Sequence, residues 1–234
     1  MNRLGVLGLL IYLTGRVAAA EILLDRTRLI YLSSERDVSV ALTNSADSPR
    51  LVQAWIDAGD AQVLPEYSDV PFTVTPPILR VDPGKGQVLR ITLLSAPVLP
   101  TESVYWLNVL SIRPTPAAEA GNVLQWAFRT RIKVFLRTAQ RPEHDEPGLR
   151  WQLSTTVPAL LEVHNPSAYH VTLSRVTLID RGREYRSDAP PMIGPDTTLA
   201  VPLNDVLITP LGQATLRFSI LDDHGITQDY EERL

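Results

Sequence analysis

The segment Asn122-Val-Leu-Gln-Trp-Ala-Phe-Arg-Thr-Arg-Ile-Lys-Val-Phe-Leu-Arg137 decides the fold class of this chain. It contains neither Gly nor Pro, and Leu124, Trp126 and Phe128 recur at every second position. This period predicts a β-strand, because successive side chains of a strand point to opposite faces. Strands usually run about 3–10 residues, so one this long can pair with its own sheet and still leave part of an edge unpaired. An unpaired apolar edge is a template for a strand of another chain.

Further β-rich runs precede this segment, with turn residues between them. The strongest are Ile22–Leu32, Val38–Leu42, Leu51–Ile56, Val88–Leu94 and Val104–Ile112. Together with Val123–Leu136 they suggest about seven short strands, which is the pattern of an immunoglobulin-like sandwich. No amphipathic helix of useful length interrupts them.

The chain divides once after this unit. Gln140–Gly148 is polar and rich in Pro, a composition typical of a linker. The β pattern then resumes at Leu160–His164, Val171–Ile179, Leu199–Val201 and Ala214–Leu221. We therefore predict an all-β protein with two immunoglobulin-like β-sandwich domains, at residues 21–139 and 149–234, joined by a linker at 140–148.

Residues 1–20 have the pattern of a signal peptide. Arg3 supplies a positive start, Leu4–Leu13 is apolar, and Val17–Ala20 offers small residues for cleavage. The apolar run is shorter than the roughly 20 residues that a membrane span needs, although an uncleaved anchor is the alternative. The sequence has no Cys, so we expect no disulfide and no thiol chemistry in the exported protein.

The composition gives little support to catalysis or nucleic-acid binding. The net charge of −4 provides no global basic footprint for nucleic acid. The sequence lacks an HExxH pair, a G-x-S-x-G elbow and a phosphate-binding Gly loop, so we expect no enzyme, metal or cofactor. His164 and His170 flank the turn Asn165–Tyr169, and surface or turn roles are expected for both.

Several sequence blocks occur in a particular order along the mature chain. They are Asp25–Tyr31, Gln53–Asp57, Thr75–Gly84, Tyr105–Ile112, Asn122–Gln125, Arg131–Phe135 and Asn165–Tyr169. This order resembles the periplasmic chaperones of the chaperone–usher pilus pathway. The resemblance implies two domains set at an angle around a cleft, and a function in binding incomplete pilus subunits and delivering them to an outer-membrane usher. The short loop Arg113–Gly121 resembles the branch that serves rod-like pili.

The resemblance also implies which residues bind the subunit. Leu124, Trp126 and Phe128 would fill pockets of a subunit sandwich that lacks its last strand, by donor-strand complementation. Their periodicity alone would more readily indicate that they line this protein's own core. The family's carboxylate-binding cation pair corresponds to Arg28 and Lys133, which would grip the C-terminus of the subunit.

One geometric problem accompanies these assignments. Phe128 and Lys133 are separated by an odd number of residues, so a regular strand places them on opposite faces. A β-bulge or a strong twist between them would bring them together. The resemblance further implies an inter-domain ionic network of Glu102, Arg137 and Asp223.

Two other function classes remain open. A secreted two-domain adhesin or carbohydrate-binding module could use the same fold, since fold alone does not determine function. A hydrolase is disfavoured by the missing nucleophile and base. The sequence also leaves open whether the free protein covers its own edge as a homodimer, and whether the Thr75–Pro76 bond is cis or trans.

Overall fold

The computed structural model describes residues 21–95, 100–114, 126–138, 148–154, 160–205 and 214–234. The predicted signal peptide at 1–20, the donor residue Leu124 and residues 140–147 of the predicted linker lie outside this part of the chain. Within it, the only helix is a short 3-10 turn at Pro65–Tyr67. No helix in these ranges is long and apolar enough to span a membrane.

The first domain is a β-sandwich. Its strands are β1 Ile22–Leu24, β2 Arg28–Leu32, β3 Asp37–Asn44, β4 Arg50–Asp57, β5 Phe72–Thr75, β6 Ile78–Val81, β7 Gly86–Leu93, β8 Ser103–Ile112 and β9 Ala127–Arg137. They form one sheet of order β1-β3-β7-β5 and a second of order β2-β9-β8-β4-β6, which we call the β9 sheet. Apolar side chains from both sheets meet between them, including Leu42, Leu89, Leu107 and Val134.

The β-rich run Ile22–Leu32 contains two strands rather than one. It divides into β1, which pairs with β3, and β2, which pairs with β9 in the opposite sheet. The break falls at Asp25, whose backbone N–H donates to Ala41 O and whose carboxylate accepts from Ala41 N. The chain therefore leaves one sheet, crosses the edge of the sandwich and joins the other.

The second domain is also a β-sandwich, which confirms the predicted fold class. Its strands are β10 Arg150–Leu153, β11 Leu161–Asn165, β12 Val171–Asp180, β13 Arg183–Arg186, β14 Met192–Ile193, β15 Thr197–Val201, β16 Thr215–Leu221 and β17 Thr227–Arg233. One sheet has the order β10-β11-β15, and the other β13-β12-β16-β17 with β14 beside β12. The sequence had indicated only β11, β12, β15 and β16, because the remaining strands are short or carry mostly polar side chains.

Two turns bear on the functional site. The Thr75–Pro76 peptide bond between β5 and β6 is cis. Asn165 closes the turn after β11: its side-chain amide donates to Tyr169 O at 2.7 Å and to Gly194 O at 2.9 Å. This turn faces the first domain, since Glu102 N donates to Ala168 O at 2.9 Å.

Candidate functional site

Strand β9 has an edge that is only partly paired. Along one side it pairs with β8 from Ala127 to Leu136 without a shift in register. On the other side β2 runs parallel to it and pairs only with Lys133–Arg137. Within the described ranges, Ala127–Ile132 has no strand on that side. The backbone groups of this stretch that point away from β8 are therefore available to another chain.

The apolar side chains at this end of β9 are exposed to solvent. Trp126 is 62% exposed and Phe128 is 44% exposed. Neither belongs to the core of the first domain, so the alternative that these two side chains line the protein's own core is wrong. They lie on the same side of the chain as the core residues Ile132 and Val134, at the stretch where no described strand covers the outer edge of β9.

Of the two expected distortions between Phe128 and Lys133, a β-bulge or a strong twist, the β-bulge is absent from the β8–β9 pairing. The β8–β9 register is regular throughout this stretch, so the two side chains lie on opposite faces of the β9 sheet. Trp126 and Phe128 lie on the core-facing side of the β9 sheet, whereas Lys133 projects from its outer face.

Arg28 and Lys133 are direct neighbours across β2 and β9. Paired residues on adjacent strands lie about 5 Å apart, so their side chains leave the sheet together. Arg28 Nη1 donates to Leu221 O at 3.2 Å, whereas its Nε is buried and has no hydrogen-bond partner among the described residues. Lys133 Nζ lies 3.5 Å from Thr172 Oγ1 and 5.6 Å from the centre of the Trp106 ring. Both cations therefore point into the junction between the domains.

Arg28 and Lys133 are both partly removed from solvent at the junction. Burial lowers the pKa of Lys133 below its usual 10.5, and the adjacent Arg28 lowers it further. Burial likewise lowers the pKa of Arg28, against the opposing fields of Asp223 and Asp222. Among the residues that the structure describes, no carboxylate forms an ion pair with either cation. A carboxylate placed between them would offset the desolvation of both charges.

Arg137 forms the centre of an ionic network between the domains. Its Nε donates to Glu102, and its Nη1 and Nη2 donate to the two oxygens of Asp223 at 2.5 and 2.8 Å. Arg137 and Glu102 are only 3% and 5% exposed. Burial lowers the pKa of Arg137, but the hydrogen bonds to Asp223 and Glu102 outweigh it and the pKa is raised overall. Glu102 and Arg137 come from the first domain and Asp223 from the second.

His170 also belongs to this network, and the sequence did not reveal it. Its backbone N–H donates to Glu102 Oε1 at 2.7 Å, and its ring Nδ1 lies 2.8 Å from the same oxygen. Its ring also packs against Phe135, with centroids 5.9 Å apart. A single His after a turn gave no indication of a partner so distant along the chain.

The outer face of the β9 sheet holds a second group that sequence reasoning missed. Asp57 is buried and accepts hydrogen bonds from Asn108 Nδ2 at 2.6 Å and from Arg131. These hydrogen bonds lower the pKa of Asp57 against the opposing effect of burial. The Arg131 guanidinium lies 4.5 Å from the centre of the Trp106 ring, on which Lys133 also rests. The group therefore fixes Trp106 beside the cation pair.

Comparison with known proteins identifies the family. Residues 21–141 match the family described as pili and flagellar-assembly chaperone, PapD N-terminal domain. Residues 146–232 match the pili assembly chaperone PapD, C-terminal domain. The chain therefore belongs to the PapD family of pilus-assembly chaperones.

Individual relatives agree with this assignment. The chain is 37% identical over 215 residues to the probable fimbrial chaperone YadV of Escherichia coli K12, a match that covers 88% of this chain and 87% of YadV. It is 35% identical over 223 residues to the chaperone protein FimB/FhaD of Bordetella pertussis, covering 92% of this chain and 88% of that protein. The crystal structure of YadV superposes on this chain with a TM-score of 0.76 and 35% sequence identity. The superposition covers 92% of this chain and 100% of the YadV chain in that structure.

A more distant structure shares the fold. The SafB chaperone of Salmonella enterica, solved in complex with the SafA pilin, has a TM-score of 0.71 at 19% identity over 94% of this chain and 99% of SafB.

Proposed function

We propose that this protein binds incomplete pilus subunits by donor-strand complementation, and that β9 supplies the missing strand. The observation that carries the proposal is the edge at Ala127–Ile132, which no described strand covers and which leads directly to the cation pair of Arg28 and Lys133. Edge backbone groups give affinity that tolerates many sequences, and a carboxylate-binding pair adds a fixed end point. Membership in a chaperone family, together with the SafB–SafA complex, supports a pilus subunit as the partner.

The proposed anchor also implies a direction for the bound strand. If the subunit's C-terminal carboxylate sits between Arg28 and Lys133, the preceding residues must lie beside Ile132 and then toward Ala127. The subunit strand then runs in the same direction as β9. It would continue the parallel pairing that β2 makes with Lys133–Arg137. Every residue added upstream of the carboxylate gains a backbone neighbour on the open edge.

The apolar end of β9 completes the binding surface. Trp126 and Phe128, and by continuation Leu124, are proposed to fill the open core of the subunit. An aromatic side chain can bury about 150–250 Å², so each provides a large share of the binding free energy. Side chains on one face of β9 would then fill the open core of the subunit, and Lys133 on the other face would bind its carboxylate.

The remaining assignments follow from this function. We infer that Glu102, Arg137 and Asp223 hold the domains at the angle that brings the two cations into the cleft. Residues 1–20 are proposed to direct export to the periplasm, with the domains at 21–139 and 149–234 joined by a linker at 140–148. Delivery to an outer-membrane usher, and a homodimer that covers the open edge before subunits arrive, belong to the same proposal.

Subunit capture tests the proposal. The chaperone is co-expressed in the periplasm with a pilus subunit from the same genome, tagged at its N-terminus so that its C-terminal carboxylate stays free. Capture should be stoichiometric with the native chaperone and lost with Arg28→Ala or Lys133→Ala. Arg26→Ala and Lys85→Ala are matched controls, because both remove an exposed cation outside the junction. Normal capture by either cleft variant would refute the anchor, and purification without any partner would favour a stand-alone binding module.

A further inference from the structure

We propose that the turn between β16 and β17 positions Arg28 for the subunit carboxylate, and that Gly225 is the residue that allows it. We call this turn, Asp222–Ile226, the hairpin tip. The inference rests on the proposed function. It assigns a positioning role to the hairpin tip, although both cations of the anchor, Arg28 and Lys133, belong to the first domain.

The hairpin tip lies directly against the cationic site. The carbonyl of Leu221, at the end of β16, accepts a hydrogen bond from Arg28 Nη1 at 3.2 Å. Arg28 Nε is buried and finds no hydrogen-bond partner in the part of the chain that the structure describes. The second domain thus accepts a hydrogen bond from one nitrogen of the Arg28 guanidinium and orients the plane of the group. An unsatisfied buried N–H then remains as a donor for a ligand.

Gly225 makes this close approach possible. A Cβ atom at this position would lie 2.6 Å from Thr27 Oγ1 and 4.0 Å from Arg28 Nε. A separation of 2.6 Å is far inside van der Waals contact, so either Thr27 or the hairpin tip would have to move. Because Thr27 immediately precedes Arg28 and Leu221 immediately precedes the hairpin tip, a backbone shift on either side changes the separation of Arg28 Nη1 from Leu221 O.

The hairpin tip is itself held firmly. The Asp222 carboxylate accepts hydrogen bonds from the backbone N–H groups of His224 at 2.9 Å and Ile226 at 2.8 Å. Asp223 is tied to Arg137 of the first domain through two hydrogen bonds. A side chain added at the tip therefore cannot be accommodated by a loose loop. The hairpin tip therefore links the ionic network at Arg137 to the orientation of Arg28, because Asp223 contacts the first and Leu221 O the second.

Two glycines of the second domain provide a matched comparison. Gly225 and Gly182 both have φ of +80°, so replacement by Ala costs similar backbone strain at each. A Cβ atom added at Gly182 would have no described atom within 4 Å, whereas one added at Gly225 would meet Thr27. The difference between Gly225→Ala and Gly182→Ala therefore isolates the contact with the anchor from the strain of the turn.

The test measures preference for a free carboxylate. Calorimetry compares a synthetic peptide of alternating Val and Thr that ends in a carboxylate with the same peptide ending in an amide. The native protein and Gly182→Ala should bind the acid more tightly than the amide. In Gly225→Ala the ratio of the two affinities should fall about tenfold or more, which corresponds to one charge-assisted hydrogen bond. Thr27→Ala removes the clashing atom, so Thr27→Ala/Gly225→Ala should regain most of that ratio. A merely structural role would weaken acid and amide binding alike.

Each result decides a different point. Equal binding of acid and amide by the native protein would contradict the proposed anchor itself. A native preference that survives unchanged in folded Gly225→Ala, or that the double variant fails to regain, would overturn the positioning role.

Asp222 decides the matter if Gly225→Ala does not fold. Asp222→Ala should loosen the turn and reduce the acid preference, whereas Asp222→Asn keeps an oxygen acceptor for the turn and should retain most of it. An Asp222→Ala protein with the full native preference would overturn the inference.

Discussion

Truncation of the exposed aromatic side chains on β9 should weaken subunit binding without unfolding the chaperone. Trp126 is 62% exposed, which leaves about 150 Å² to bury if a whole Trp buries about 250 Å². At about 25 cal/mol per Å² this corresponds to about 4 kcal/mol. Ala keeps the Cβ atom, so Trp126→Ala should lose about 3 kcal/mol, or roughly a hundredfold in Kd. Phe128, which is 44% exposed, should lose about 2 kcal/mol on the same basis.

The assay measures binding and stability on the same preparations. Subunit capture is titrated by competition between native and variant chaperones, and thermal unfolding is recorded for each free chaperone. Tyr67→Ala is the control, because Tyr67 is 74% exposed and lies away from β9. Its capture and Tm should both remain near native values.

Three results would refute this reasoning. A fall in Tm of several degrees for Trp126→Ala would mean that the side chain supports the chaperone's own fold. Native capture combined with a native Tm would mean that this end of β9 does not enter the subunit. An order of effect in which Phe128→Ala exceeds Trp126→Ala would show that exposed area does not set the affinity.

The ionic network, the anchor and the buried carboxylate of Glu21 give three further predictions. In a double-mutant cycle on unfolding free energy, Arg137→Ala and Asp223→Ala should show a coupling of at least about 0.5 kcal/mol, and strict additivity would contradict the bidentate contact. Carboxylate binding requires protonated Lys133, whose pKa is lowered, so acid-peptide affinity should fall as the pH rises toward 10.5; Lys133→Arg should bind without this fall. Glu21 has its pKa lowered from 4.5 to about 2, first by its hydrogen bond to Arg50, so its contribution to stability is present above pH 4.5 and is lost as the pH falls toward 2. Glu21→Gln should flatten the unfolding free energy across that window, and an unchanged acid profile would exclude this carboxylate as a cause.

Several properties were predictable because they depend on neighbours along the chain. The alternation around Trp126 predicted the strand that became β9, and the turn residues predicted an all-β fold. The identity of β9 as an exposed edge was not predictable in the same way. Whether Trp126 lies in the core or in solvent depends on where β2 begins, and β2 comes from the opposite end of the domain.

The cation pair illustrates how a resemblance and a structure contribute differently. The sequence blocks suggested Arg28 and Lys133 by similarity to a family, but no local signal joins two residues so far apart. Parallel pairing of β2 with β9 places them side by side. A β-bulge or a strong twist was expected between Phe128 and Lys133; the regular β8–β9 register excludes the bulge and leaves the two side chains on opposite faces of the sheet.

The most regular strands and the all-β class of the two domains could be predicted from the sequence, since side-chain alternation and turn chemistry act between residues close in the chain. The division of Ile22–Leu32 between two sheets and the contact of His170 with Glu102 depend on parts of the chain that are far apart in sequence. The tertiary structure also brings Gly225 of one domain against Thr27 of the other. These contacts arise when the two sandwiches pack together. Strand pairing and the need of buried charges for a partner of opposite sign determine which residues meet. A short stretch of sequence does not show either of them.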